Sequence, residues 1–167
     1  MTALGRMQQP GPEPGSGTVA AGVSHLAAPM IEPFFFGSAG QRVFATFHPS
    51  TDGRSRGLTI ICPPLLSEYM RVHSALRELA VSLTQRGHDV LRIDYTGTGD
   101  SDGELSAANL SDWTRDIALA VREGRNLSGS ATVRLVGVRA GALLACHAMG
   151  LSQNVNRFVL WDPIVSG

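Results

Sequence analysis

Short, mainly apolar runs alternate along this chain with stretches whose apolar residues return every three or four positions. Leu58 to Cys62 is the continuous one, the mark of a strand buried on both faces. Val90 to Ile93, Val133 to Val136 and Phe158 to Trp161 read as further short strands. Between them, Val72, Leu76, Leu79, Ala80 and Leu83 fall at helical spacing, and Gly87 supplies a stop. Ser111 can cap a second helix that buries Trp113, Ile117, Ala120 and Val121. Ala140 to Gly150 reads as a third helix. Phe34 to Phe36 and Arg42 to Phe47 flank the Gly37–Gly40 turn as a β-hairpin. This order predicts an α/β fold with right-handed crossovers and a mostly parallel, doubly wound sheet, edged by the antiparallel hairpin.

The alternation begins only near Pro33. Residues 1–30 read as a disordered leader, because Gln8 to Gly17 is rich in Pro and Gly and Thr18 to Pro29 is mostly Ala, Gly and Ser. Such a segment buries too little apolar area to offset its ordering entropy. Met30 stands where the ordered pattern starts, so the first 29 residues are expected to be a tail or the product of a misassigned start codon. Residues 31–167 form the domain.

Charge narrows the function classes. The chain has 167 residues with 14 basic and 14 acidic side chains, which cancel. A general nucleic-acid binder normally shows a basic excess, so that class is disfavoured. Every basic residue is Arg, with no Arg cluster, which reads as coding bias. No apolar run approaches the ~20 residues of a membrane helix, and the N-terminus lacks a signal-peptide pattern. Cys62 and Cys146 are too few for a disulfide scaffold. Both lie in apolar surroundings and are expected to be buried, reduced thiols of a cytoplasmic protein.

In a sheet of this kind, chemistry collects at the carboxyl ends of the strands. Four segments reach that edge: Cys62 to Glu68, Asp94 to Gly103, Gly137 to Gly141, and Asp162 to Ile164. Read plainly, Gly97, Gly99 and Gly103 are turn glycines, and their spacing is not that of a dinucleotide fingerprint. Asp100, Asp102 and Glu104 fail the ligand order of an EF-hand and read as a solvated acidic turn. Neither a cofactor nor a metal is called for. Cys62 has no basic neighbour to activate it. His147 reads as a packing or surface residue. His73 stands nearer the expected site, while Ser67 and Ser101 are hydroxyls without a visible base.

Asp94-Tyr95-Thr96-Gly97-Thr98-Gly99-Asp100-Ser101-Asp102-Gly103 resembles the D-x-R-G-x-G-x-S-x-G loop of α/β-hydrolases. Gly137-Val138-Arg139-Ala140-Gly141 resembles their G-x-S-x-G nucleophile elbow, with Arg in place of Ser. The stretches Gly137 to Ala145 and Leu160 to Gly167 are similar to a narrower group, the hydrolase-like proteins associated with the exosortase A (PEP-CTERM) system. The resemblance runs from Phe34 to the C-terminus and implies an α/β-hydrolase-like fold whose C-terminal half is missing. It implies ester, thioester or amide hydrolysis, or acyl transfer, on a small-molecule or acyl substrate.

Three departures weigh against that chemistry in this chain alone. Arg139 cannot be a nucleophile, because a guanidinium stays protonated. Cys62-Pro63-Pro64 replaces the usual His-Gly, so the resemblance shifts the oxyanion donor to the backbone N–H of Leu65 or Leu66. The Asp and His of the triad would follow the last strand and are not in the sequence. Arg139 itself needs a compensation, since a helix N-terminus disfavours a cation. A carboxylate from Glu68, Asp94 or Asp162 could pair with it. Alternatively Arg139, with the backbone of Val138 and Ala140, could bind an anionic ligand.

Phe158 to Trp161 reads as an interior strand, which a chain ending soon after it would leave as an exposed apolar edge. A missing C-terminal half or a partner chain is expected to cover it. Three functional readings follow: a hydrolase-family protein with its nucleophile replaced, a non-catalytic accessory protein binding an anion, and a truncated product without stable function.

Overall fold

The computed structural model describes residues 30–152 and 155–164, and the expected leader at 1–30 lies, but for Met30, outside the described residues. β1 (Glu32–Ser38) and β2 (Gln41–His48) form the antiparallel hairpin. β3 (Leu58–Cys62), β4 (Asp89–Ile93), β5 (Val133–Val138) and β6 (Arg157–Trp161) run parallel. The helices between them are α1 (Ser67–Thr84), α2 (Leu110–Ser128) and α3 (Ala140–Ala148). The sheet order is β1-β2-β4-β3-β5-β6.

Every residue of β3 is buried, as its unbroken apolar run predicts. α2 and α3 cover one face of the sheet, where Ile117, Ala120, Val121, Leu144 and Ala145 pack on Leu58, Ile60, Leu91 and Leu135. α1 covers the other face, with Leu76 and Ala80 on Ile61, Val90 and Val138. Gly124 lets α2 lie close, since a Cβ there would meet the side chains of Leu58 and Leu91.

Two expectations are corrected. The cap of α2 is Asn109, not Ser111: its side chain accepts from the N–H of Ser111 and Asp112, and Asp112 accepts from the Asn109 N–H in return. Asp112 three residues after Asn109 completes that reciprocal box, which Ser111 has no acidic partner to match. Cys146 is exposed rather than buried, because α3 is apolar nearly all round and its outer face carries Leu143, Cys146 and Met149. Among the described residues β6 is an edge strand, and Val159, Leu160 and Trp161 are all largely exposed on it.

Candidate functional site

The chain reverses direction across β3, so the ends of β3 and β5 sit side by side at the switch in strand order. β5 turns into α3 through Arg139, whose backbone sits at φ 55° and ψ −119°. Two glycines make that sharp turn possible. A Cβ on Gly137 would strike the backbone of Ala142, and one on Gly141 would strike the carbonyls of Cys62 and Pro63. The first turn of α3 is thereby pressed against the loop that follows β3. The Arg139 N–H donates to the Trp161 carbonyl at 2.9 Å, tying the turn to β6.

Leu66 (φ 58°), Arg139 (φ 55°) and Asp162 (φ 48°) are the non-glycine residues with left-handed backbone among the described residues. They follow β3, β5 and β6, all at the carboxyl edge of the sheet. Each costs free energy that the surrounding packing must impose, and such residues gather at functional sites.

Arg139 is held from two sides. Its Nε and Nη2 donate to Glu68 Oε1 at 3.3 and 3.2 Å, and its Nη1 donates to Asp162 Oδ2 at 2.8 Å. Those bonds to Glu68 first and Asp162 second raise the guanidinium above its ordinary value. Asp94 is not a partner. β3 lies between β4 and β5, which puts the end of β4 about 10 Å from the end of β5. Asp94 instead accepts from the Tyr69 hydroxyl at 2.6 Å and the Asp100 N–H at 3.2 Å. Burial first, then that bond to Asp94, pushes the Tyr69 phenol well up.

The loop after β4 is built for shape. Ser101 Oγ donates to the Asp94 carbonyl at 2.6 Å and accepts from the Phe44 N–H at 2.8 Å. Buried Asp116 accepts from the Thr96 N–H at 2.7 Å, and Trp113 Nε1 donates to the Thr96 carbonyl at 3.0 Å. Asp102 is engaged by Arg42. Cys62 is fully buried, and that burial pushes its thiol up to about 12, far from a reactive thiolate. His147 is exposed on α3, and His73 contacts Arg92 rather than this site.

A mostly apolar cavity of about 400 Å³ lies between the β3 loop and the β4 loop. Pro63, Pro64, Leu66, Met70, Tyr95 and Leu105 line it, together with Ser67. Leu65 is packed against the core while Leu66 is exposed, so Leu66 is the residue of this pair that faces the opening. Tyr69 and Asp116 escaped the sequence reading, because each finds its partner on another element and leaves no local signal. Asn109 escaped it although the Asn109 and Asp112 spacing carries the signal of a reciprocal cap.

An elbow at positive φ, two flanking glycines and an adjoining loop after β3 together form the frame of a nucleophile turn. The family model described as serine aminopeptidase, S33 matches residues 56–167. The chain belongs to that hydrolase family. Human palmitoyl-protein thioesterase ABHD10, mitochondrial, is 36% identical over 98 residues, covering 58% of this chain and 29% of that protein. The Pyrococcus furiosus esterase Pf2001 superposes with a TM-score of 0.68 at 17% identity, over 83% of this chain and 51% of that one. Mouse alpha/beta hydrolase domain-containing protein 10 gives a TM-score of 0.58 at 24% identity, over 77% of this chain and 48% of that one. These superpositions show the α/β-hydrolase fold, of which this serine aminopeptidase-type chain holds part. Its match spans less than a third of the curated relative's length.

Proposed function

We propose that this chain is a hydrolase-family protein of the ester, thioester or amide hydrolase or acyl-transfer type, in which Arg139 has replaced the serine nucleophile and hydrolysis by the chain alone is lost. The observation that carries this reading is the Arg139 side chain, at the nucleophile position of an otherwise intact elbow and bound by Glu68 and Asp162. A permanently protonated guanidinium has no lone pair with which to attack a carbonyl. The apolar cavity between the β3 and β4 loops suits the chain of an acyl group, and the thioesterase name of a relative supports a thioester. Pairing with two carboxylates weighs against an anion-binding role for Arg139, since both sides of the guanidinium are already occupied.

The test is turnover of p-nitrophenyl acetate and of a short-chain acyl thioester by the chain and by Arg139→Ser. Neither protein is expected to exceed the buffer rate. Turnover by the unaltered chain would overturn the reading.

The reading places the protein in the exosortase-associated group, supported by the Gly137 to Gly141 variant and the Leu160 to Gly167 stretch. Exosortase genes beside the coding sequence are the expected observation. It also places the protein in the cytoplasm, to be checked by cell fractionation. No helix among the described residues is long and apolar enough to cross a membrane.

A further inference from the structure

A second cavity, of about 280 Å³, lies on the α1 side of the sheet between β2, β4 and α1, and neither Arg139 nor Glu68 lines it. Its wall carries both signs of charge. Arg77 comes from α1 and Arg92 from β4, while Asp94 and Asp100 come from the loop after β4. The wall is formally neutral, so a bare anion or a bare cation gains little there. Ile31, Pro33 and Phe44 form an apolar side.

These charges are not spent on one another. Among the described residues neither Arg77 nor Arg92 has a carboxylate within ion-pair distance, and Asp100 has no cation within it. Asp94 is committed to the fold, since its oxygens accept from the Tyr69 hydroxyl at 2.6 Å and the Asp100 N–H at 3.2 Å. Asp100 makes that bond through its backbone, which leaves its exposed carboxylate available. Arg92 Nη2 donates to His73 Nε2 at 2.8 Å and keeps its other donors. Opposite charges set apart across one cavity form a fixed dipole. A molecule carrying both charges is attracted at each of its ends.

We propose that this cavity binds an α-amino acid with an apolar side chain. Its carboxylate lies on Arg77 and Arg92, its ammonium on Asp100, and its side chain against Ile31, Pro33 and Phe44. Charge-assisted bonds of about 2.8 Å at each end let two groups on neighbouring carbons bridge charges that stand too far apart to pair directly. The volume fits a small molecule, at the low end of ligand cavities. Burial of an aliphatic side chain on the apolar side adds to the affinity.

The full chain is titrated calorimetrically with L-leucine, isocaproate, isoamylamine and glycine at neutral pH and fixed ionic strength. Isocaproate is leucine without its ammonium, isoamylamine is leucine without its carboxylate, and glycine lacks the side chain. Saturable binding of leucine is expected, with each of the other three weaker by roughly tenfold or more. Asp100→Asn and Arg77→Gln are each expected to weaken leucine binding by roughly tenfold or more. Both side chains are exposed, and the bond from Asp100 to Asp94 runs through the backbone, so both variants keep the fold, which circular dichroism checks. Arg122→Gln, on α2, should bind as the parent does. Absence of saturable leucine binding, or undiminished binding by either variant, would overturn the proposal. So would equal affinity for isocaproate, which leaves an anion site, for isoamylamine, which leaves a cation site, or for glycine, which removes the apolar side from recognition.

Discussion

Gly141 packs directly on Cys62: the space a Cβ would need is filled by the Cys62 carbonyl, with that of Pro63 beside it. The contact joins the first turn of α3 to the loop after β3, and both obstructing groups are backbone. Gly141→Ala should therefore destabilise the fold by about 2–3 kcal/mol through overpacking. Urea denaturation followed by far-ultraviolet circular dichroism would read the shift, and an unchanged midpoint would contradict the close approach.

The α2 cap separates Asn109 from Ser111. Asn109→Ala removes an acceptor for two backbone N–H groups and should cost about 1 kcal/mol. Ser111→Ala, on an exposed side chain, should stay within about 0.5 kcal/mol. Equal losses in the two variants would return the cap to Ser111.

The two cysteines should differ sharply toward Ellman's reagent. Exposed Cys146 reacts in the native protein, whereas buried Cys62, its thiol pushed up to about 12, reacts only after denaturation. Counting one released thiolate natively and two in guanidinium is the expected result.

His48 makes stability depend on pH. Its folded value is about 4 against an ordinary 6.5, so the unfolded chain binds the proton first. Stability is complete above the unfolded value and falls as pH drops from about 6.5 toward 4, by at most about 1.4 kcal/mol per pH unit. Denaturation midpoints measured from neutral pH to pH 4.5 should show this slope, and His48→Leu should flatten it.

The outer face of β6 is the site of a further prediction. Val159, Leu160 and Trp161 are 53, 43 and 60% exposed, and nothing among the described residues pairs with that edge. Unprotected apolar edges recruit other strands. The chain should self-associate with rising concentration in size-exclusion chromatography with light scattering, and Val159→Lys should reduce it. A concentration-independent monomer would count against this reading.

The strands were legible because an unbroken apolar run such as Leu58 to Cys62 has only one economical burial. The elbow was legible because Gly137 and Gly141 leave room on either side of residue 139. Asp94 illustrates what was not. Its position at a strand end was correct, yet the order of strands in the sheet decides which neighbours it meets, and no local pattern encodes that order. Glu68 and Asp162 reach Arg139 because β3 and β6 flank β5. Cys146 was misplaced for a related reason: a helix apolar all round offers no period from which to pick its inner face.

Tyr69 borders both the apolar cavity and the one between β2, β4 and α1. A single phenol, kept in place by a 2.6 Å bond to Asp94, therefore walls two separate spaces. A change at Asp94 would reshape both at once, although the carboxylate itself lines only one of them.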